Sequence, residues 1–296
     1  MPLMAAFAPA VNAGADYTIS DNVDLVLLDV SVKHPDGGFV SGLGKNNFRV
    51  YEDGRACEIT HFESVDTPVS IGLVLDNSGS MRPKRPEIIT AGLAFAKSSN
   101  PQDEFFVINF NNQVYYGLPK ALNFTDNMQL LHSALFYGLP QGQTALYDAI
   151  ASALHHLELS GRTLRTLIVV SDGGDNVSVV RYAELMKSIE SSRATIYTIG
   201  LWDPDDHDLN PRVLRKFAAV SGGEYFQPDK LNEVLPIFEK ISKDIRNRYT
   251  IGFVPDERND TNTLRTVKVS AEADGRRLNV RTRASFSLTS MGETGK

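Results

Sequence analysis

The chain has 296 residues, of which 42% are hydrophobic and 22% charged, enough to bury one large core or two of moderate size and too apolar for a disordered polypeptide. Thirty basic against thirty-six acidic side chains leave a net charge of -6, which argues against a protein devoted to phosphate backbones and makes nucleic acid a disfavoured partner. A lone cysteine, Cys57, excludes an intrachain disulfide framework and a multi-thiolate zinc site, and no apolar stretch approaches the roughly 20 residues that cross a bilayer.

Residues 1–16 read as an export-signal remnant or an irregular terminus: the start is apolar and ends in the triplet Val11-Asn12-Ala13, like a signal-peptidase site, but lacks a basic leader. If it is such a remnant, the protein works outside the cytoplasm, secreted or periplasmic. Residues 17–67 have β character. Val23 to Val32 is rich in branched residues, Phe48–Tyr51 and Cys57–Phe62 flank Asp53-Gly54, and that dipeptide favours a tight hairpin.

From 68 to 247 strands alternate with helices, the pattern of an α/β domain with a mostly parallel sheet. Val69 to Leu75 and Thr166 to Ser171 are apolar runs without helical period, as expected of strands buried on both faces. Helices are expected near Glu87 to Ser98, from Thr144 through Leu157, over Tyr182 to Ile189 and from Pro211 to Val220. A last helix carries Val234, Leu235, Phe238, Ile241 and Ile245 inward, with Asp229 as its N-cap. Phe105–Phe110 is a strand, with Val114–Tyr116 as an antiparallel edge strand. Asp203, Asp205, Asp206 and Asp208 form an acidic surface loop without the Gly and Glu of an EF-hand.

After 248 the chain returns to β character, with a second hairpin at Asp274-Gly275, and 289–296 reads as a disordered tail. Neither flank has enough strands for its own core. The expected architecture is therefore α/β and doubly wound, with one antiparallel edge strand, inserted into a small β-sandwich made by 17–67 and 248–288. Arg276, Arg277, Arg281 and Arg283 read as a solvated basic strand face, and the mid-helix pair His155 and His156 as structural.

The chemistry gathers at strand ends. Asp76, Ser78 and Ser80 alternate along a loop in which Gly79 permits a sharp bend, so their oxygens can converge. Thr144, opening a helix, and Asp172, ending a strand, could complete the cluster from two other loops. Carboxylate and hydroxyl oxygens suit a hard cation, Mg²⁺ or Mn²⁺, rather than zinc or copper. Asp175 and Asn176 read as solvated loop residues, with support of the cluster as the second option.

Asp76-x-Ser78-x-Ser80, Thr144 within Gly142-Gln143-Thr144, and Ser171-Asp172-Gly173 together resemble the metal-ion-dependent adhesion site of von Willebrand factor A and integrin I domains. With its β flanks, the chain looks like the bacterial subgroup of that family. The resemblance implies direct coordination by Ser78 and Ser80, direct or water-mediated binding by Thr144, and water bridges from Asp76 and Asp172. It also implies displacement of the last helix, 231–247, on ligation. Neutral direct ligands would leave the ion much of its charge and one open position for an incoming acid. Asn77, Gln143 and the prolines after Met81 depart from the family pattern without removing an oxygen donor.

The expected function is thus a non-enzymatic module that captures a protein ligand presenting Asp or Glu. An assembly subunit working with an AAA+ ATPase is an alternative by the same resemblance. A Mg²⁺-dependent hydrolase is the third reading, opposed by the lack of a motif-placed general acid or base and of a phosphate-cradling loop.

Overall fold

The computed structural model describes residues 25–202, 210–256 and 264–287; the start of the chain, the acidic loop at 203–208 and the tail from 289 lie outside the described residues. The first flank supplies β1 (Val26–Lys33), β2 (Phe48–Glu52), β3 (Arg55–Cys57) and β4 (Ile59–Glu63). The central part runs β5 (Val69–Asp76), α1 (Arg85–Ser98), β6 (Glu104–Phe110), β7 (Val114–Tyr116), α2 (Met128–Leu135), α3 (Leu146–Leu157), β8 (Leu164–Ser171), α4 (Tyr182–Ser191), β9 (Thr195–Gly200), α5 (Pro211–Ser221), β10 (Tyr225–Phe226) and α6 (Val234–Arg246). The second flank adds β11 (Arg248–Phe253), β12 (Leu264–Ala273), β13 (Arg276–Arg277), β14 (Asn279–Arg281) and β15 (Ser285–Ser287).

The central sheet has the order β10-β9-β8-β5-β6-β7, parallel throughout except for β7, which returns antiparallel along β6. β5 is buried at every position, as a strand covered on both faces must be. Helices α3, α4 and α5 pack in succession on one face, and α1 packs with α2 and α6 on the other. Gly72 lies where a Cβ would come 2.4 Å from the Phe106 ring, so the middle of β5 has no room for a side chain.

The flanks pair with each other. β1 lies between β11 and β14 in one sheet that β4 extends beyond β11, and β12 lies beside β2 in the other. One apolar cluster, including Leu28, Val30, Phe48, Ile251, Phe253 and Phe286, joins the two sheets. Both expected hairpins are present: Asp53 and Gly54, and Asp274 and Gly275, have positive φ at both central positions, the requirement of a type I′ turn.

Five local readings are corrected. The strand expected over Cys57–Phe62 is split between β3 and β4. α3 starts at Leu146 rather than Thr144, with Ala145 as N-cap. Asp229 does not cap α6; a short 3-10 turn, Leu231–Glu233, leads in, and the Asp229 N–H donates to Glu233 Oε2 at 2.9 Å. Leu235 is outside the buried stripe of that helix because it falls on the solvent side of the first turn. The basic face is also divided: Arg276 and Arg277 are exposed, whereas Arg281 pairs with Asp244 and Glu224, and Arg283 donates to the Glu190 carbonyl at 2.8 Å.

Candidate metal centre

β5 and β8 are hydrogen-bonded parallel neighbours, so the loops at their carboxyl ends emerge side by side. Asp76 is the last residue of β5, and its carboxylate folds back over the loop, accepting the Ser78 N–H at 2.8 Å and the Ser171 hydroxyl at 2.6 Å. Ser80 donates its hydroxyl to Asp172 Oδ2 at 2.6 Å, and Ser78 Oγ lies 3.1 Å from Ser80 Oγ. With the single Ser80 proton spent on Asp172, the Ser78 hydroxyl must donate to Ser80, and both serines keep lone pairs free to face a cation. Asp76, Ser78, Ser80 and Asp172 thus form one hydrogen-bonded cluster drawn from two loops.

Thr144 joins from a third loop through its backbone. Its N–H donates to Asn176 Oδ1 at 2.9 Å and its carbonyl accepts the Asn176 N–H at 3.1 Å, which ties it to the loop following Asp172. The Gly79 N–H donates to the Gly142 carbonyl at 3.1 Å, which ties the same segment to the Asp76 loop. Thr144 is thus tied to the cluster's loops through its backbone, not through its hydroxyl.

Burial is the larger reason, and the facing Asp172 carboxylate the next, why the Asp76 carboxyl is pushed up to about 7, against the opposing effect of its hydrogen bonds from Ser171 and Ser78. Two buried acids sharing one spot call for a positive charge. The donors around them are all oxygens, and among the described residues no group of three or more His, Cys, Asp and Glu side chains is placed to hold a metal. The set therefore fits a hard cation such as Mg²⁺ or Mn²⁺ and does not fit zinc or copper.

Several residues position the cluster without being among its candidate donors. Ser171 precedes Asp172 and orients Asp76. Arg85, buried at the start of α1, donates to Asn77 Oδ1, to the Leu135 carbonyl at 2.9 Å and to the Tyr137 carbonyl at 3.1 Å, while the Asn77 N–H donates to the Phe110 carbonyl at 2.6 Å. Asn77, a departure from the family pattern in sequence, is here the residue that pins the loop. Asn112 accepts the Gln143 N–H at 2.9 Å, and Gly142, with φ +82°, leaves space for that contact. Asp175 and Asn176 are not merely solvated: Asp175 Oδ1 accepts the Ser178 hydroxyl at 2.5 Å and the Tyr147 N–H at 3.1 Å, as Asn176 does for Thr144. The buried Lys84 ammonium donates to the Leu201 carbonyl at 2.9 Å. His156 packs at a tilt against Phe106, with ring centroids 4.4 Å apart, and bonds to the Asn123 carbonyl, a structural role.

Residues 71–176 match the family model of the von Willebrand factor type A domain. No curated protein sequence matches the chain. Among solved structures, a von Willebrand factor type A protein from Catenulispora acidiphila is similar at TM-score 0.54 and 14% identity, over 90% of this chain and 74% of that one. The pilus adhesin SpaC from Lactobacillus rhamnosus GG is similar at TM-score 0.50 and 14% identity, over 85% of this chain and 42% of that one. Proximal thread matrix protein 1 from the mussel byssus is similar at TM-score 0.50 and 16% identity, over 62% of this chain and 49% of that one. At such identities the likeness is one of fold.

Proposed function

The chain carries a von Willebrand factor type A domain, and from that premise we propose that it is a non-enzymatic protein-binding module whose Asp76, Ser78, Ser80, Thr144 and Asp172 hold a Mg²⁺ or Mn²⁺ ion that meets an acidic residue of the partner. The observation that carries this reading is the cluster in which Ser80 bridges Ser78 to Asp172 while Asp76 lies buried beside them. A bound ion would offer a Lewis-acidic position to a carboxylate. The chain's own residues supply the rest: Ser78 and Ser80 present neutral oxygens, Asp76 and Asp172 supply the negative field, and Asn176, Asn112 and Arg85 hold the three loops in register.

We read the two flank sheets as one β-sandwich domain formed by 17–67 and 248–288, with 68–247 as the inserted domain; the shared apolar cluster supports that division. A position outside the cytoplasm, secreted or periplasmic, accords with the apolar start of the chain and with a fold shared with a pilus adhesin. Among the described residues no helix is long and apolar enough to cross a membrane.

The test is a Mn²⁺ titration of the full chain followed by water-proton relaxation. One ion per chain is expected, lost in Asp76→Ala and in Ser80→Ala, and relaxation enhancement should fall when a compound bearing a glutarate side chain takes the ion's open position. Saturable Mn²⁺ binding unchanged in both variants would sink the reading.

A further inference from the structure

β7 is the outermost strand of the central sheet on the side opposite β10, and nothing in its sequence guards it. The Asn111 N–H donates to the Gln113 carbonyl at 3.0 Å and the Gly117 N–H to the Val107 carbonyl at 2.8 Å, with Tyr115 opposite Asn109 in register. In an antiparallel pair the bonded positions alternate, so Gln113, Tyr115 and Gly117 face β6, and the N–H and C=O groups of Val114 and Tyr116 point outward. Native edges are ordinarily blunted by charge, proline or a bulge. Val114-Tyr115-Tyr116 has none of these.

A groove of about 850 Å³ surrounds this edge. One wall comes from α2, through Leu130 and Ser133, and the other from α3 and the residues just past it, through His156 and Leu159. Those helices cover opposite faces of the sheet. A groove with one wall on each face of an open edge has the shape of a missing strand, since successive side chains of a strand turn to opposite faces. Its surface is apolar: Tyr116 is 45%, Leu122 41% and Leu159 54% exposed. Among the described Lys, Arg, Asp and Glu residues, Lys120 alone lines it, so a basic occupant is disfavoured and an acidic one favoured.

The turn that precedes β7 is tied to a loop of the candidate metal centre. The turn between β6 and β7 is bound to the Thr144 loop through the Ala145 N–H to the Asn111 carbonyl at 2.8 Å and the Gln143 N–H to Asn112 Oδ1 at 2.9 Å. We propose that the partner's polypeptide adds as an extended strand along the outer edge of β7, its apolar residues alternating between the α2 and α3 walls and its acidic end directed toward the metal centre. The acidic end rests on the function proposed above; the added strand rests on the edge and the groove alone. Backbone pairing supplies affinity in such recognition, and side-chain pockets supply selectivity.

Short random peptides displayed on phage and selected against the full chain in Mg²⁺ supply the probe. The selected peptides should alternate apolar residues and carry acid, and their amide-resolved NMR footprint should centre on Val114–Lys120. Val114→Pro removes an outward N–H without breaking a bond to β6 and should weaken them at least tenfold; Leu159→Asp, at an exposed wall position, should do the same while leaving unfolding unchanged. Asp76→Ala and chelator separate the two readings. Binding at β7 that survives both keeps the added strand and removes the metal from it, whereas metal-dependent binding untouched by Val114→Pro and Leu159→Asp overturns the strand and keeps the metal. Concentration-dependent dimers broken by the same two substitutions, with no peptide recovered, would assign the edge to a second copy of the chain and overturn the proposal.

Discussion

Arg248, the first residue after the α6 connection, turns back so that its guanidinium lies 3.3 Å from Asp244 in the last turns of that helix. Asp244 is the centre of a buried polar junction. It also accepts the Ser31 hydroxyl at 2.5 Å from β1, the Tyr197 hydroxyl from β9 and the Arg281 guanidinium from β14, while Arg248 extends to Asp29 at 2.8 Å. The helix of the α/β part is thereby fixed to both flanks by charge-assisted bonds.

Removing the acid leaves two guanidinium groups without it in a dry setting, and breaking a buried ion pair from one side costs about 3–5 kcal/mol. Asp244→Ala should lose stability of that order in urea unfolding monitored by circular dichroism, and Asp244→Asn, which keeps hydrogen-bonding capacity, should lose less.

Acid should act through the same residue. Burial alone would raise the Asp244 pKa, but Arg248 and Arg281 overcome it and hold the carboxyl well below the usual carboxylate range. A folded pKa lying below the unfolded one gives stability that is complete above the unfolded value of about 3.9 and is lost as pH falls from there toward the folded value. Unfolding free energy measured from pH 6 downward should decline over that interval in the native chain, and the decline should be shallower in Asp244→Ala.

Metal should stabilise the chain by mass action. Mg²⁺ at about one hundred times its Kd should add about 2.7 kcal/mol to unfolding free energy, and Ser80→Ala, exposed enough to be tolerated, should remove that increment. Equal stabilisation in native and variant protein would show that Mg²⁺ acts elsewhere.

Arg85→Met should act on the loop from beneath. It removes the donor to the Leu135 carbonyl, leaves the Tyr137 carbonyl only the longer bond from Asn77 Nδ2 at 3.3 Å, and frees Asn77 Oδ1. Unpaired buried acceptors cost about 1–3 kcal/mol, and Mn²⁺ affinity should fall along with stability.

At Gly142 an added Cβ would come 2.0 Å from Asn112 Oδ1, at a φ of +82° that L side chains rarely adopt. Gly142→Ala should cost about 1–3 kcal/mol, and the displaced Thr144 loop should weaken Mn²⁺ binding, read by relaxation titration.

The architecture was largely legible in the sequence because its signals are local. Buried strands appear as apolar runs, and Asp53-Gly54 and Asp274-Gly275 announce hairpins through residues that tolerate positive φ. Helix α2 was not expected: eight residues give barely two turns of periodicity, and its clearest mark is Asn127, whose side chain accepts the N–H groups of Gln129 and Leu130. In the candidate site the cluster of Asp76, Ser78, Ser80 and Asp172 follows from motif spacing, whereas Thr144 is tied in through its backbone, and the positioning roles of Ser171, Asn112 and Arg85 depend on what each side chain meets across loops. The Asp244 junction was least legible. Its members, Ser31, Tyr197, Asp244, Arg248 and Arg281, are spread over most of the chain and each alone resembles an ordinary surface residue.

β5 connects the two poles of the molecule: its amino end follows directly from the first flank, and its carboxyl end is Asp76. A pull applied to a captured partner and resisted at the flanks would travel lengthwise through this strand. It is held on both sides by parallel neighbours, over the seven residue pairs with β6 and the seven with β8. Loaded along its axis, such a strand can yield only if many backbone bonds slide together rather than part in sequence, so the element that presents the site is also suited to bearing tension.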